Sequence, residues 1–178
     1  MEVELRRSQR ARYLRIEVPF GGPPLVVVPR GVSEARVERF LAEKRSWIER
    51  QLARQVPRLD LPRLTEVEGR RRARALVTDA AQAEAQRLGV SFGRIRVADQ
   101  RSRWGSCSSR GTLSFNWRLA LAPPAVLEYV VVHELCHLLE PNHSRRFWSL
   151  VEAARPDWRA HRGWLREHGP ELQAYRSA

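Results

Sequence analysis

The chain has 178 residues, 43% of them hydrophobic and 29% charged, enough apolar material for one ordinary domain with a small appendage and too much for a fibrous or disordered chain. No apolar run approaches the roughly 18 residues of a membrane helix, and two cysteines, Cys107 and Cys136, are too few for a disulfide scaffold. The net charge of +12 comes from 31 arginines and one lysine, Lys44, against 20 acidic residues, an arginine-rich surface that attracts nucleic acid or other polyanions nonspecifically.

The charged start, Met-Glu-Val-Glu-Leu-Arg-Arg, lacks the apolar run of a secretory signal, so a cytoplasmic location without membrane attachment is expected. Two apolar runs, Tyr13 to Val18 and Leu25 to Val28, flank Gly21-Gly22-Pro23-Pro24 and read as a hairpin or neighbouring strands. Ser33 stands where an N-cap belongs, ahead of a helix to about Gln55 with Val37, Phe40, Leu41, Trp47, Ile48 and Leu52 at helical spacing. Val56 to Leu64 holds Pro57 and Pro62 and is taken as a connection. The expected division is therefore an N-terminal β-β-α unit over 1–60 and a second domain over 61–178.

In the second domain, Glu68 to Leu88 favours helix, closed by Gly89. Arg94 to Ala98 reads as a strand, Gln100 to Gly111 as a polar loop, and Thr112 to about Leu119 as another strand. Pro123 and Pro124 open a helix, Ala125 to about Leu139, that is apolar nearly all round and so should be buried, with Pro141 stopping it. Helices over Ser144 to Ala154 and Asp157 to His168 follow, the last closed by Gly169 and Pro170. A few strands and then mainly helices indicate an α+β fold.

The apolar helix carries His133-Glu134-Leu135-Cys136-His137. Residues four apart on a helix stand about 40° apart around its axis and about 6 Å along it, so both imidazoles can meet one ion. Zinc takes nitrogen ligands at about 2.0–2.1 Å in a tetrahedral array, and these two supply half of it. Glu134, about 100° away from His133, is placed to take a proton from a water whose pKa the ion lowers from 15.7 to about 7, and to deliver it to a leaving group. Burying two histidines and a glutamate in an apolar helix is costly without such a partner.

His143 is the best third ligand, because Pro141 ends the helix and Asn142 suits a chain reversal. Glu152 and Glu140 are the rivals; His161 and His168 read as surface histidines. One zinc ion per chain is the expected cofactor.

The runs Arg103-Trp104-Gly105-Ser106-Cys107, Leu113-Ser114-Phe115-Asn116-Trp117-Arg118-Leu119, His133 to His137, and Asn142-His143-Ser144-Arg145-Arg146-Phe147-Trp148 resemble the YgjP-like metallopeptidase family, related to the SprT and WLM zincin proteases. The resemblance implies a zincin-like fold, with a small sheet packed on the active-site helix. It further implies His133, His137 and His143 as metal ligands and Glu134 as catalytic acid/base. The ligand spacing is also that of metzincins, but Glu140 stands where those have glycine.

Thr112 to Leu119 resembles the zincin edge strand to which an extended peptide adds. Arg103, Trp104 and Asn116 are the candidate substrate-binding residues, with Trp104 as a wall of the cleft and Arg103 for an anionic group or oxyanion. Arg145 and Arg146 are further candidates for that role, against simple surface exposure. Cys136 reads as a core thiol, Cys107 as a remote candidate ligand, and Phe147, Trp148, Trp158 and Trp164 as an apolar cluster under the site. Zinc-dependent peptide-bond hydrolysis is thus the leading function. The alternatives are metal-dependent hydrolysis of a nucleotide phosphoanhydride, and a protease recruited to DNA by its basic surface.

Overall fold

The valine run Leu25–Pro29 is the central strand of a three-stranded sheet in the computed structural model, which describes residues 2–55 and 59–176. Its neighbours are β1 (Glu4–Ser8), parallel to it, and β2 (Arg15–Glu17), antiparallel, so Leu25–Pro29 is β3. The expected strand pair is β2 and β3, with Ile16 opposite Val26. Strand β1 was not foreseen, because Glu-Leu-Arg-Arg-Ser shows no apolar alternation and its Leu5 stays 60% exposed. Helix α1 (Glu34–Ala53) follows Ser33, which takes an extended N-cap conformation without a side-chain cap bond. Val26, Val28 and Val37 form the small core of this part, ringed by Val3, Leu14, Ile16, Val32 and Leu41.

By contact density the chain divides into two compact units, Met1–Leu59 and Asp60–Ala178. Of the expected connection, Val56, Pro57 and Arg58 lie outside the described residues. In the second unit α2 (Glu66–Leu88) starts two residues earlier than expected. Thr65 Oγ1 accepts from Glu68 N–H, and the Glu68 carboxylate accepts from Thr65 N–H, closing a capping box. Gly89 ends the helix with φ +65°, a left-handed conformation that costs glycine little.

Strand β4 (Ile95–Ala98) runs parallel to β6 (Leu113–Asn116), while β5 (Gly105–Cys107) pairs antiparallel on its other side. This overturns two expectations. The segment read as an edge strand is the centre of its sheet, and the loop read over Gln100 to Gly111 contains one of its two edge strands. The strand also stops at Asn116, whose side-chain oxygen accepts from Arg118 N–H and opens a 3₁₀ turn over Trp117–Leu121.

Helix α3 (Pro124–Cys136) is buried on nearly every side, and α4 (Arg145–Ala154) and α5 (Trp158–Ala174) complete the unit. Leu113, Phe115, Leu119, Leu135 and Phe147 are fully buried in one core, each contributing about 1.5–3 kcal/mol of apolar burial. Glu84, also buried, accepts from Arg87 and Arg155, and Arg155 reaches on to Glu128, so this acid is paired.

Helix α5 does not end at Gly169-Pro170 but continues to Ala174. Beyond the proline Leu172 is fully buried, and Tyr175 donates its hydroxyl to Pro62 O while accepting from Leu64 N–H. Those contacts outweigh the backbone hydrogen bond that proline cannot make. Among the described residues no helix is long and apolar enough to cross a membrane.

Candidate metal centre

Helix α3 ends at Cys136, three residues before the expected end, with His137 as its C-cap. His133 and His137 still stand one turn apart. Leu138 N–H bonds to Leu135 O and Glu140 N–H to Cys136 O, winding the chain into the turn before Pro141. Helix α4 begins three residues after Asn142, behind the N-cap Ser144, whose Oγ accepts from Phe147 N–H. That cap fixes the backbone next to His143 and brings the ring back over the end of α3.

One nitrogen from each of His133, His137 and His143 lies within 4.8 Å of the others, with His133 Nε2 and His143 Nε2 3.0 Å apart. Nitrogens at about 2.0–2.1 Å from a tetrahedral ion stand about 3.3 Å from one another, so the observed pair is near that spacing. His137 Nδ1 lies 3.1 Å from Glu140 O. A carbonyl oxygen can only accept, so Nδ1 carries the proton and Nε2 keeps its lone pair, the form a metal ligand needs. Burial pushes the His133 pKa down to about 3, helped by His137, His143 and Arg162. His143 is also lowered, by burial and then by His137 and Arg162. Both rings are therefore neutral at physiological pH, and the donor set fits a divalent cation with a preference for imidazole.

Aromatic rings hold the imidazoles. Phe147 stacks on His137 at 4.4 Å between centroids, and Trp148 lies nearly parallel to His143 at 5.7 Å. Trp158 stacks in turn on Trp148 at 4.4 Å. Trp164 does not join this cluster; it lies against His168 on α5.

Glu134 is 5% exposed, and its carboxyl leans on Gly105 of β5. A Cβ at Gly105 would lie 2.5 Å from Glu134 Oε1 and 2.7 Å from its Cγ, so any side chain there would displace the carboxylate. Burial raises the Glu134 pKa to about 7, against the opposing pull of Arg103. A carboxyl poised there can both accept and return a proton near neutral pH.

A cleft of about 740 Å³ opens over these groups. Of the expected substrate-binding residues it takes in Arg103 and Trp104, the indole packing near Gly169. Asn116 is not brought there: it is fully buried, donating to Gln100 O and accepting from Arg118 N–H, so its role is to end β6. Arg145 and Arg146 lie exposed at the start of α4, outside the cleft lining. The rival ligand Glu152 is ion-paired to Arg159, and Glu140 offers only its carbonyl, to His137.

His161 departs from the surface reading. Its side chain is 15% exposed, bonded to Asp157 at 2.9 Å and set beside Tyr129. Cys136 is a buried core thiol with its pKa raised to about 11 by burial. Cys107 lines the cleft, but burial and then Glu134 raise its pKa, which keeps it a thiol.

The cleft also contains Tyr129, Leu165, Arg162 and Arg166, which sequence reasoning missed. Tyr129 stands four residues before His133 and was findable from that spacing. Nothing in the sequence tells which face of α5 meets the cleft.

The sequence matches the family model described as YgjP-like metallopeptidase domain over residues 12–69 and 60–168. No curated protein matches the chain. Among solved structures it is similar to the metallopeptidase zymogen of Pyrococcus abyssi abylysin, with 25% identity over 52% of this chain and 92% of that one and a TM-score of 0.46. It is likewise similar to the zymogen of Methanocaldococcus jannaschii jannalysin, with 17% identity over 51% and 94% of the two chains and a TM-score of 0.46.

Proposed function

The chain belongs to the YgjP-like metallopeptidase family, and from that premise we propose that it hydrolyses peptide bonds with one zinc ion held by His133, His137 and His143. The chemistry falls within 61–178, the unit 1–60 carrying none of these groups. When bound, such an ion supplies Lewis acidity, polarising a carbonyl and making water nucleophilic at neutral pH.

The chain's own groups do the rest. Glu134 takes the proton of the attacking water on its carboxylate and passes it to the departing amine. Gly105 leaves the space in which that carboxylate lies. Among the described residues strand β5 pairs with β6 alone, so its outer backbone groups can receive an extended substrate as an added strand. Trp104 forms one wall for the substrate's side chains.

The single observation that carries this reading is the convergence of three imidazole nitrogens beside one buried carboxyl. The experiment combines metal analysis with hydrolysis of an unfolded protein and of a nucleoside triphosphate. The wild type is expected to hold one zinc per chain and to cleave the protein. Glu134→Gln should keep the zinc and lose about 10²–10⁴-fold in turnover. His143→Ala should lose most of its zinc. Unchanged turnover in the first variant removes Glu134 from the mechanism, and full zinc retention in the second removes His143 from the ligand set. Hydrolysis of the nucleotide alone would replace the peptide as substrate.

A further inference from the structure

The metal cleft has a charge pattern that peptide hydrolysis alone does not require. Three arginines line it: Arg103 just ahead of β5, and Arg162 and Arg166 on α5. Among the described residues, the one acidic side chain in the lining is Glu134, which feels the Arg103 charge.

Among the described residues of this unit, five arginines outside the cleft pair with carboxylates and others do not. Arg70 pairs with Glu66, Arg87 with Glu84, Arg118 with Asp99, Arg155 with Glu84 and Glu128, and Arg159 with Glu152. Among the described residues, Arg103, Arg162 and Arg166 have no such ion pair.

Two details fix how Arg162 and Arg166 are set in the cleft. They are four apart on α5, which places two like charges side by side on one helix face. The Arg162 guanidinium also lies over the Trp148 ring at 5.1 Å, and that indole lies nearly parallel to His143, so the charge is held at the metal end of the cleft.

We propose that substrates of this cleft carry a carboxylate close to the scissile bond, bound by Arg162 and Arg166 on one wall and Arg103 on the other. The proposal rests on the peptidase reading. It commits to a carboxylate because a guanidinium fork matches that group in bidentate fashion. An aspartate or glutamate side chain and the free end of a peptide supply the same chemistry.

The test measures binding to zinc-loaded full-length Glu134→Gln protein by tryptophan fluorescence, Trp104 being in the cleft. One peptide sequence is made with glutamate or with glutamine beside the cleaved bond, each with a free or an amidated C-terminus. The acidic peptide is expected to bind about tenfold more tightly than its amide counterpart. The advantage should shrink in Arg162→Gln and Arg166→Gln variants that keep their zinc, and it should weaken with added salt. A preference confined to free C-termini supports the proposal and assigns the carboxylate to the chain end.

Equal binding of all four peptides overturns the proposal, and their hydrolysis by the wild type would leave the peptidase reading standing. If the wild type cleaves none of them, that reading fails, yet the binding series still decides whether carboxylates are recognised. Tighter binding of a nucleoside triphosphate than of every peptide overturns the carboxylate in favour of phosphate.

Discussion

The two sheets of this protein share one strand plan and differ in what leans on them. In each, the first strand is parallel to the third, the second is antiparallel to it, and the third lies in the middle. In the first unit the central strand is Leu-Val-Val-Val-Pro, the flanking strands are largely exposed, and the packed helix contributes Val37. In the second the centre is Leu-Ser-Phe-Asn, and the short edge strand Gly-Ser-Cys faces a helix carrying a buried glutamate and a histidine, with a second histidine as its C-cap. Strand order therefore does not make the site. It needs an edge strand small enough for a carboxyl to approach, and a helix apolar enough to bury that carboxyl.

The sharpest way to break the comparison is at two glycines, Gly105 in β5 and Gly22 in the turn before β3. Gly105→Ala would put a Cβ 2.5 Å from Glu134 Oε1, forcing the carboxylate out of place. In the proposed mechanism, misplacing Glu134 by about 1 Å costs on the order of 10²-fold, so kcat should fall by about that factor while bound metal is unchanged. In the first unit a Cβ at Gly22 would meet only Pro19 Cγ at 3.4 Å, and Gly22→Ala should leave kcat unaltered. Steady-state kinetics with metal analysis checks both, and equal activity in the two variants would mean that Gly105 does not serve Glu134.

How far the site could be read from the sequence follows from the range of the forces that build it. The His133 to His137 spacing, the apolar wrap of α3 and the C-cap at Gly89 are local patterns, and all are where the sequence put them. The return of His143 to the other two also depends on a short turn, Glu140 to Asn142, whose chemistry is visible in Pro141. What the sequence hid is long-range. Strand β5 has no hydrophobic alternation, and it exists because it pairs with β6 and because Gly105 accommodates Glu134. Asn116 looks like a polar candidate until its amide is seen bonding to Gln100 and capping the next turn. Arg162 and Arg166 become cleft residues only through the packing of α5, and that helix outlasts its proline through the burial of Leu172.

A second contrast lies in how the helices meet what they cover. Gly69 on α2 lets Trp117 approach so closely that a Cβ would fall 2.5 Å from its Cε3 and Cζ3. That ring is 1% exposed and cannot swing away. Gly69→Ala should therefore cost about 1–3 kcal/mol of overpacking, less the gain in helix propensity. Its Tm should fall by about 2–4 °C per kcal/mol, with zinc content at 25 °C unchanged. Helix α1, by contrast, has no glycine. A thermal scan showing no loss would mean that Trp117 has room to move.

The smallest effects separate the two helix starts. Ser33 and Thr65 occupy equivalent N-cap positions, yet only Thr65 makes a side-chain cap bond and completes a box with Glu68. Thr65→Ala should cost about 1 kcal/mol, whereas Ser33→Ala, with no cap bond to lose, should cost clearly less. The two also differ in their response to acid. Glu68 has its pKa held below the ordinary carboxylate range by the Thr65 hydroxyl and then by the Thr65 backbone N–H. A lowered acid pKa contributes stability that is present above the unfolded-state value and lost as pH falls through the folded one. The Tm gap between wild type and Thr65→Ala should thus narrow from pH 7 toward acid, while the gap for Ser33→Ala stays flat. A Thr65 gap that does not change with pH would show that the hydroxyl caps α2 without the help of the Glu68 charge.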